Sequence, residues 1–332
     1  MPVVHGWATR DGGEYSMVSS SGGRLTASRD EAGTRPLYAS RDGRWVASDH
    51  RFFPGEEADL VPPGVKHDVV KGTNGRASGA VGAFRGCLEE AGKSLAEAVD
   101  QAVRLRTAGM KRVAVAFSGG LDSSVVALCA GRRTKVLAVT VASKGSVDSR
   151  GASQMAELLG AEHVLEEVDQ RAVRGELRML DLPFEPSPMD RSLWCVYSMA
   201  ARVAAEGGAD VILLGQLADE LFGGYRKYQV ALAREGPGAA ASMMREGVLE
   251  SASRGFVRDE AACCRWLEPR FPFADGRVLR LAKSFPMEFK VSADERKAVL
   301  REAARQLGVP EAICAAPKKA AQYSSGVQKL VG

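Results

Sequence analysis

The sequence contains no C-x-x-C pair. Its six cysteines (Cys87, Cys129, Cys195, Cys263, Cys264 and Cys314) are scattered along 332 residues. That spacing argues against a zinc or iron–sulfur centre and for reduced thiols, several of them buried. There is also no block of like charge. The net charge is only +4 and the basic residues are spread out, which gives nucleic-acid binding little support but suits a site for anionic small molecules. No apolar run approaches the roughly 20 residues of a membrane span. The start, Met1-Pro2-Val3-Val4-His5, lacks a basic region followed by an apolar stretch, so no signal peptide is expected. These absences predict a cytoplasmic protein with no membrane partner. No internal repeat or low-complexity tract is present.

What is present divides in two. Residues 1–70 read as short strands broken by turns, among them Arg24–Ser28, Arg35–Ala39 and Arg44–Ala47, with Asp42-Gly43 as one of the turns. Pro62-Pro63-Gly64 closes this part, and Lys71–Gly82 reads as a linker. From residue 84 the period changes. Leu88–Arg106 carries apolar residues at helical spacing, including Leu95, Val99, Ala102 and Val103. Buried strands are then expected at Arg112–Phe117, Lys135–Val141, His163–Val168 and Asp210–Leu214. Helices are expected at Ser123–Ala130, Arg150–Leu159 and Arg191–Ala205. Alternation of this kind predicts an α/β fold, a parallel sheet with helices on both faces. Residues 226–332 read as a mostly helical cap.

The first informative string is Ser118-Gly119-Gly120-Leu121-Asp122-Ser123-Ser124, between an expected strand and an expected helix. That is the edge of a parallel sheet where such folds bind ligands. Adjacent glycines let backbone approach an anion, and the helix start offers free N–H groups and a favourable dipole. The loop has no lysine, so it is not the G-x-x-x-x-G-K-[ST] phosphate loop, and it lacks dinucleotide G-x-G-x-x-G spacing. It does hold Asp122. A carboxylate aimed at a phosphate site implies Mg²⁺ between the two.

The second string is Leu214-Gly215-Gln216-Leu217-Ala218-Asp219-Glu220-Leu221-Phe222-Gly223-Gly224-Tyr225, which follows the last expected strand. In a parallel sheet its start shares an edge with the first loop. Asp219 and Glu220 can therefore meet Asp122 across one crevice, and carboxylates around a triphosphate need a metal.

These strings resemble known families. S-G-G-x-D-S-S is the pyrophosphate loop of the N-type ATP pyrophosphatases, whose fold is adenine nucleotide alpha hydrolase-like. D-E-L-F-G-G-Y is similar to a motif of the asparagine synthetase C-terminal domain. Arg270-Phe271-Pro272-Phe273-Ala274-Asp275, the run from Lys297 to Ala303, and Lys318-Lys319 before Gln322-Tyr323-Ser324-Ser325-Gly326 resemble three further motifs of that family, in order. The resemblance implies the following roles. Ser118, Gly119, Gly120, Asp122 and Ser123 hold pyrophosphate and Mg²⁺, with Asp219 the second metal partner and Glu220 nearby. Phe117, Val141, Leu214 and Gly215 line the nucleotide. Lys297 and Arg301, one helical turn apart on one face, neutralise the departing pyrophosphate. Lys318 or Lys319 reaches the α-phosphate. Gln216 stands where many members have an acidic residue. It can hydrogen-bond but not usefully accept a proton.

Ser28-Arg29-Asp30-Glu31-Ala32-Gly33-Thr34-Arg35-Pro36-Leu37-Tyr38 resembles part of a class II glutamine amidotransferase, so residues 1–75 are expected to be a partial glutaminase-like domain beside an ATP-pyrophosphatase domain at 84–332. Such glutaminases use an N-terminal cysteine, whereas here Pro2 follows Met1. No glutaminase activity is expected of this chain. Ammonia is then expected free or from a separate glutaminase subunit, and half a domain with open strand edges also points to a partner or a homo-oligomer. The expected activity is AMP-forming amide synthesis from ATP, Mg²⁺, aspartate and ammonia. The alternatives are the same adenylylation with another acceptor, of β-lactam-forming or tRNA-modifying type, or a non-catalytic ATP-binding subunit.

Overall fold

A computed structural model describes residues 3–9, 12–53, 57–75, 81–316 and 325–331. The central feature is a parallel sheet of β9 (Arg112–Ala116), β10 (Lys135–Ser143), β11 (Glu162–Val168), β12 (Val211–Leu213) and β13 (Pro269–Arg270); before these in the chain come β1–β8, given below. Its order is β11-β10-β9-β12-β13, and every neighbouring pair is parallel. Val113, Ala114 and Val115 in β9 are fully buried, as are Ile212 and Leu213 in β12. Strands covered on both faces need apolar residues at successive positions, which is why these runs do not alternate.

Helices fill both faces. They are α1 (Leu88–Thr107), α2 (Leu121–Gly131), α3 (Val147–Leu158), α4 (Gln170–Leu177) and α5 (Pro188–Glu206). Leu95, Val99, Ala102 and Val103 of α1 are all buried, as their spacing requires. A capping box starts α5: the Ser187 hydroxyl accepts from the Asp190 amide, and the Asp190 carboxylate accepts from the Ser187 amide. The chain runs from β9 outward to β10 and β11, then returns to add β12 on the other side of β9. The loops leaving β9 and β12 therefore face each other where the order reverses, the place where open α/β sheets hold ligands.

The remaining helices are α6 (Ala218–Phe222), α7 (Arg226–Glu235), α8 (Pro237–Glu250), α9 (Phe256–Cys263), α10 (Gly276–Ser284), α11 (Ala298–Leu307) and α12 (Glu311–Cys314). A π-helical turn over Ser251–Gly255 joins α8 to α9. Residues 226–332 are mostly helical, as expected, with one short strand, β13, inside them. Only two residues pair, one of them a proline at the sheet edge, so no period betrays the strand.

The N-terminal part carries β1 (Val3–Thr9), β2 (Gly12–Ser21), β3 (Arg24–Arg29), β4 (Tyr38–Ser40), β5 (Val46–Ala47), β6 (Ala58–Leu60), β7 (Lys66–Asp68) and β8 (Thr73–Asn74). They form two antiparallel sheets, β1-β2-β3-β7-β8 and β5-β4-β6, around a small core of Ala27, Leu37, Ala39, Val61 and Val69. Of the strand expected at 35–39 only Tyr38 and Ala39 pair, within β4, and Pro36 has no N–H to give a ladder. The expected linker begins with a strand, β8, which pairs with β7.

Buried charges join this part to the α/β body. Glu14 accepts from the Arg106 guanidinium and, at 2.7 Å, from the Phe271 amide next to β13. Arg106 also donates to Asp275 at 3.0 Å, and Arg35 donates to Glu268 at 2.8 Å and to the Pro269 carbonyl at 2.9 Å. Arg29 reaches the Ala252 carbonyl at 2.8 Å. Glu14, Arg35 and Arg106 are almost wholly shielded from solvent. Breaking any one pair would strand a charge away from water.

Candidate active site

Gly119 sits at φ +69°, with the backbone of α3 close behind it, so the β9–α2 loop turns where a side chain would be strained and crowded. The loop braces itself. The Ser118 amide donates to the Ser123 hydroxyl at 3.3 Å, the Gly120 amide to the Ser118 hydroxyl at 3.3 Å, and the Ser123 hydroxyl to the Gly120 carbonyl at 3.2 Å. Asp122 lies in the first turn of α2.

Across the crevice the β12–α6 loop passes so near that a Cβ on Gly215 would lie 3.2 Å from the Asp122 Cβ. Leu217 takes a left-handed conformation, φ +79°, as the cap of α6, and this aims Asp219 back toward the first loop. Lys297 lies between the two carboxylates. Its Nζ is 2.6 and 2.7 Å from the two oxygens of Asp122 and 2.6 Å from Oδ1 of Asp219. Glu220, next in sequence, is buried and accepts from the Tyr225 hydroxyl at 2.8 Å. Burial first, and the Asp219 charge second, push its carboxyl up to about 7 against the Tyr225 hydrogen bond.

These groups open on a cavity of about 800 Å³. Phe117, Ser118, Gly120, Asp122, Ser123, Val141, Gly215, Gln216, Asp219 and Glu220 line it, which brings together residues the sequence placed on separate motifs. Leu214 is buried in the sheet, contributing its amide to the Arg270 carbonyl at 2.9 Å rather than a side chain to the cavity. Gly119 shapes the loop from behind.

The expectation for Lys297 and Arg301 needs correction. Lys297 is not a helical residue with Arg301 above it on one face. It caps α11 in a left-handed conformation, φ 62°. Its side chain goes to the carboxylates, while Arg301 turns to the carbonyls of Cys314, Ala316 and Arg296. Arg301 therefore fixes the chain just before residue 317. Lys318 and Lys319 lie outside the described residues. On the far side of that stretch, Ser325 lines the cavity and its carbonyl accepts from the Ser143 amide at 2.8 Å.

One wall of the cavity escaped the sequence reading. Asp190 accepts from Arg258 at 2.9 Å and from Arg254 at 3.0 Å, and all three line the cavity. Burial alone would raise the Asp190 carboxyl. Hydrogen bonds from Ser187 and Arg254, with the Arg258 charge, outweigh it and hold the carboxyl below its ordinary range. The sequence predicts a helix over Arg191–Ala205 and assigns Asp190 no role. Nothing in it shows that the Asp190 carboxylate anchors two arginines 64 and 68 residues further on. Those arginines sit at and just after the π-helical turn, a distortion that recurs at functional sites.

Among the described residues no group of three or more His, Cys, Asp or Glu side chains gathers as a metal site. Asp122 and Asp219 nonetheless offer hard oxygen donors that already converge on one cation, the Lys297 ammonium, and that donor chemistry fits Mg²⁺. No helix among the described residues is long and apolar enough to cross a membrane.

The sequence profile of the asparagine synthase family matches residues 94–259 and 254–331. A protein of Methanocaldococcus jannaschii named after glutamine-hydrolysing asparagine synthetase is 29% identical over 280 residues, covering 73% of this chain and 51% of its own. The glutamine-hydrolysing asparagine synthetase of Gallus gallus is 25% identical over 362 residues, covering 95% of this chain and 63% of its own. The chain thus spans between about half and two thirds of the length of these relatives. Among solved structures, an NMN synthetase from Francisella tularensis aligns with a TM-score of 0.40 and 13% identity over 74% of this chain and 85% of that one. With the profile spanning most of its length, the chain belongs to the asparagine synthase family.

Proposed function

We propose that the chain is an ATP-dependent, AMP-forming amide ligase that activates the side-chain carboxylate of aspartate and passes it to ammonia. The observation that carries this reading is the convergence of Asp122 and Asp219, from two loops at the same sheet edge, on a single cation. On this reading Ser118, Gly120, Ser123 and the start of α2 receive the β- and γ-phosphates. Asp122 and Asp219 hold Mg²⁺, which when bound offsets the charge of the polyphosphate. Phe117, Val141 and Gly215 flank the adenosine, and either Lys318 or Lys319 serves the α-phosphate.

The substrate carboxylate attacks the α-phosphorus, and the bond to the β-phosphate oxygen breaks. Pyrophosphate leaves toward loop 118–124. Ammonia then adds to the acyl carbon, AMP departs with the bonding pair, and the surplus proton is released. Gln216 can orient ammonia or the acyl group by hydrogen bonding, but it takes no proton. Most of the acceleration comes from positioning and charge neutralisation. Residues 1–75 are then a partial glutaminase-like domain and 84–332 the ligase domain, with ammonia taken from solution or from a separate glutaminase in the cytoplasm.

The direct test is to incubate the protein with ATP, Mg²⁺, aspartate and ammonium and to assay AMP, pyrophosphate and asparagine. ADP in place of AMP would end the proposal. A second reading keeps the adenylylation and changes the acceptor. It is favoured by Gln216 together with the Asp190–Arg254–Arg258 wall, and a screen of carboxylates by pyrophosphate release separates the two.

A further inference from the structure

We propose that Lys297 is the internal counter-ion of the Asp122–Asp219 pair, so that a divalent cation binds tightly only when a polyphosphate arrives with it. The inference rests on the ligase reading of the site and adds an order of assembly to it.

Two carboxylates from different loops repel each other unless a positive charge joins them. Here the joining charge belongs to the chain. The Lys297 ammonium has three donors, and three carboxylate oxygens lie within 2.7 Å of it, two on Asp122 and one on Asp219. Only 1% of its side chain is exposed, so water does little to screen the cluster. The arrangement is built in. Lys297 holds a left-handed backbone conformation that lysine seldom adopts, fixed by its amide donating to the Lys290 carbonyl at 2.7 Å. Its arm passes directly over Gly224, where a Cβ would lie 2.4 Å from the lysine Cε and 1.8 Å from Asp219 Oδ1. Only a glycine leaves that path open.

A hard divalent cation seeks the same oxygens. Arriving alone, it meets carboxylates whose charge is already half offset. To displace the ammonium it must leave a buried positive charge without a partner. A triphosphate in the adjoining cavity changes this balance, because it offers the ammonium another anion. Metal and nucleotide are therefore coupled, and each tightens the other by the same factor.

The test uses Mn²⁺ as the probe, its free concentration read by electron paramagnetic resonance, on the full chain with and without α,β-methylene-ATP. Wild-type protein should bind Mn²⁺ weakly alone and at least about tenfold more tightly with the nucleotide analogue. Lys297→Met and Lys297→Gln should bind Mn²⁺ alone at least about tenfold more tightly than wild type, and the effect of nucleotide should shrink. Thermal melting gives a second readout. Both variants should gain more stability than the wild type at the same Mn²⁺ concentration. Where Lys297→Met fails to fold, the glutamine variant, which keeps two N–H donors but not the charge, carries the test. Variant affinities for Mn²⁺ alone that equal or fall below the wild-type value overturn the counter-ion role and leave the ligase reading standing. A wild type that binds no Mn²⁺ even with nucleotide overturns both.

Discussion

Replacing Glu14 with leucine should unfold the protein several degrees earlier, although residue 14 lies far from any phosphate. Glu14 is fully buried and holds three groups: the Arg106 guanidinium, the Phe271 amide at 2.7 Å and, at 3.5 Å, the Arg35 guanidinium. Leucine removes the acceptor and keeps the positive charges inside. Breaking a buried pair in this way costs about 3–5 kcal/mol. The entropy of unfolding is roughly 2.1 cal/mol/K per residue, or about 0.7 kcal/mol/K for this chain, so Tm should fall by about 4–7 °C. The control is Arg41→Ala, which removes an exposed ion pair with Asp59 and Glu57. Surface pairs contribute about 0–1 kcal/mol, and that variant should melt within about 1 °C of wild type. Scanning calorimetry on the three proteins decides the matter. If Glu14→Leu melts no earlier than Arg41→Ala, the N-terminal sheets are not energetically part of the α/β body, and the account of the buried charges fails.

Three further outcomes follow from the same geometry. Burial, acting against Arg35, pushes the Glu260 carboxyl up to about 7, well above its unfolded value. The folded state then binds the proton more tightly, so wild type should lose stability as pH rises from about 4.5 to 7, by up to about 3 kcal/mol. Glu260→Gln should flatten that slope in urea titrations across this range. Asp219→Asn should lower the rate of AMP formation by about 10²–10³-fold, as expected for loss of charge stabilisation; equal rates in the two proteins would remove Asp219 from the site. Arg254→Ala should raise KM for the acceptor carboxylate and leave KM for ATP nearly unchanged; a matched rise in both would place the Asp190 wall at the nucleotide instead.

The α/β core was readable because burial on both faces leaves a mark in one dimension. Runs such as Val113–Val115 and Val136–Val139 have nothing polar to interrupt them, and their spacing with α1 and α2 admits few other arrangements. The two acidic loops were readable for a related reason, since the strand order carries their starts to one edge. Side-chain direction was not readable. Lys297 and Arg301 are four residues apart and still point to different partners, because the left-handed turn at Lys297 precedes the helix and no pattern of residue types announces it. The Asp190–Arg254–Arg258 wall was hidden for another reason. Its members lie on α5 and around a π-helical turn, and only tertiary packing brings them together. β13 was missed because two residues are too few to show a period.

The charged seam between the N-terminal sheets and the edge of β13 has a consequence for chain continuity. Its contacts come from side chains and backbone groups deep in the protein, and among the described residues those named above lie outside the peptide that connects β8 to α1. A protease cut in that connection would sever the polypeptide without opening the seam. The two fragments should migrate together on a sizing column and part only in denaturant. Expressed separately, they should find each other again, each supplying the counter-charges the other lacks.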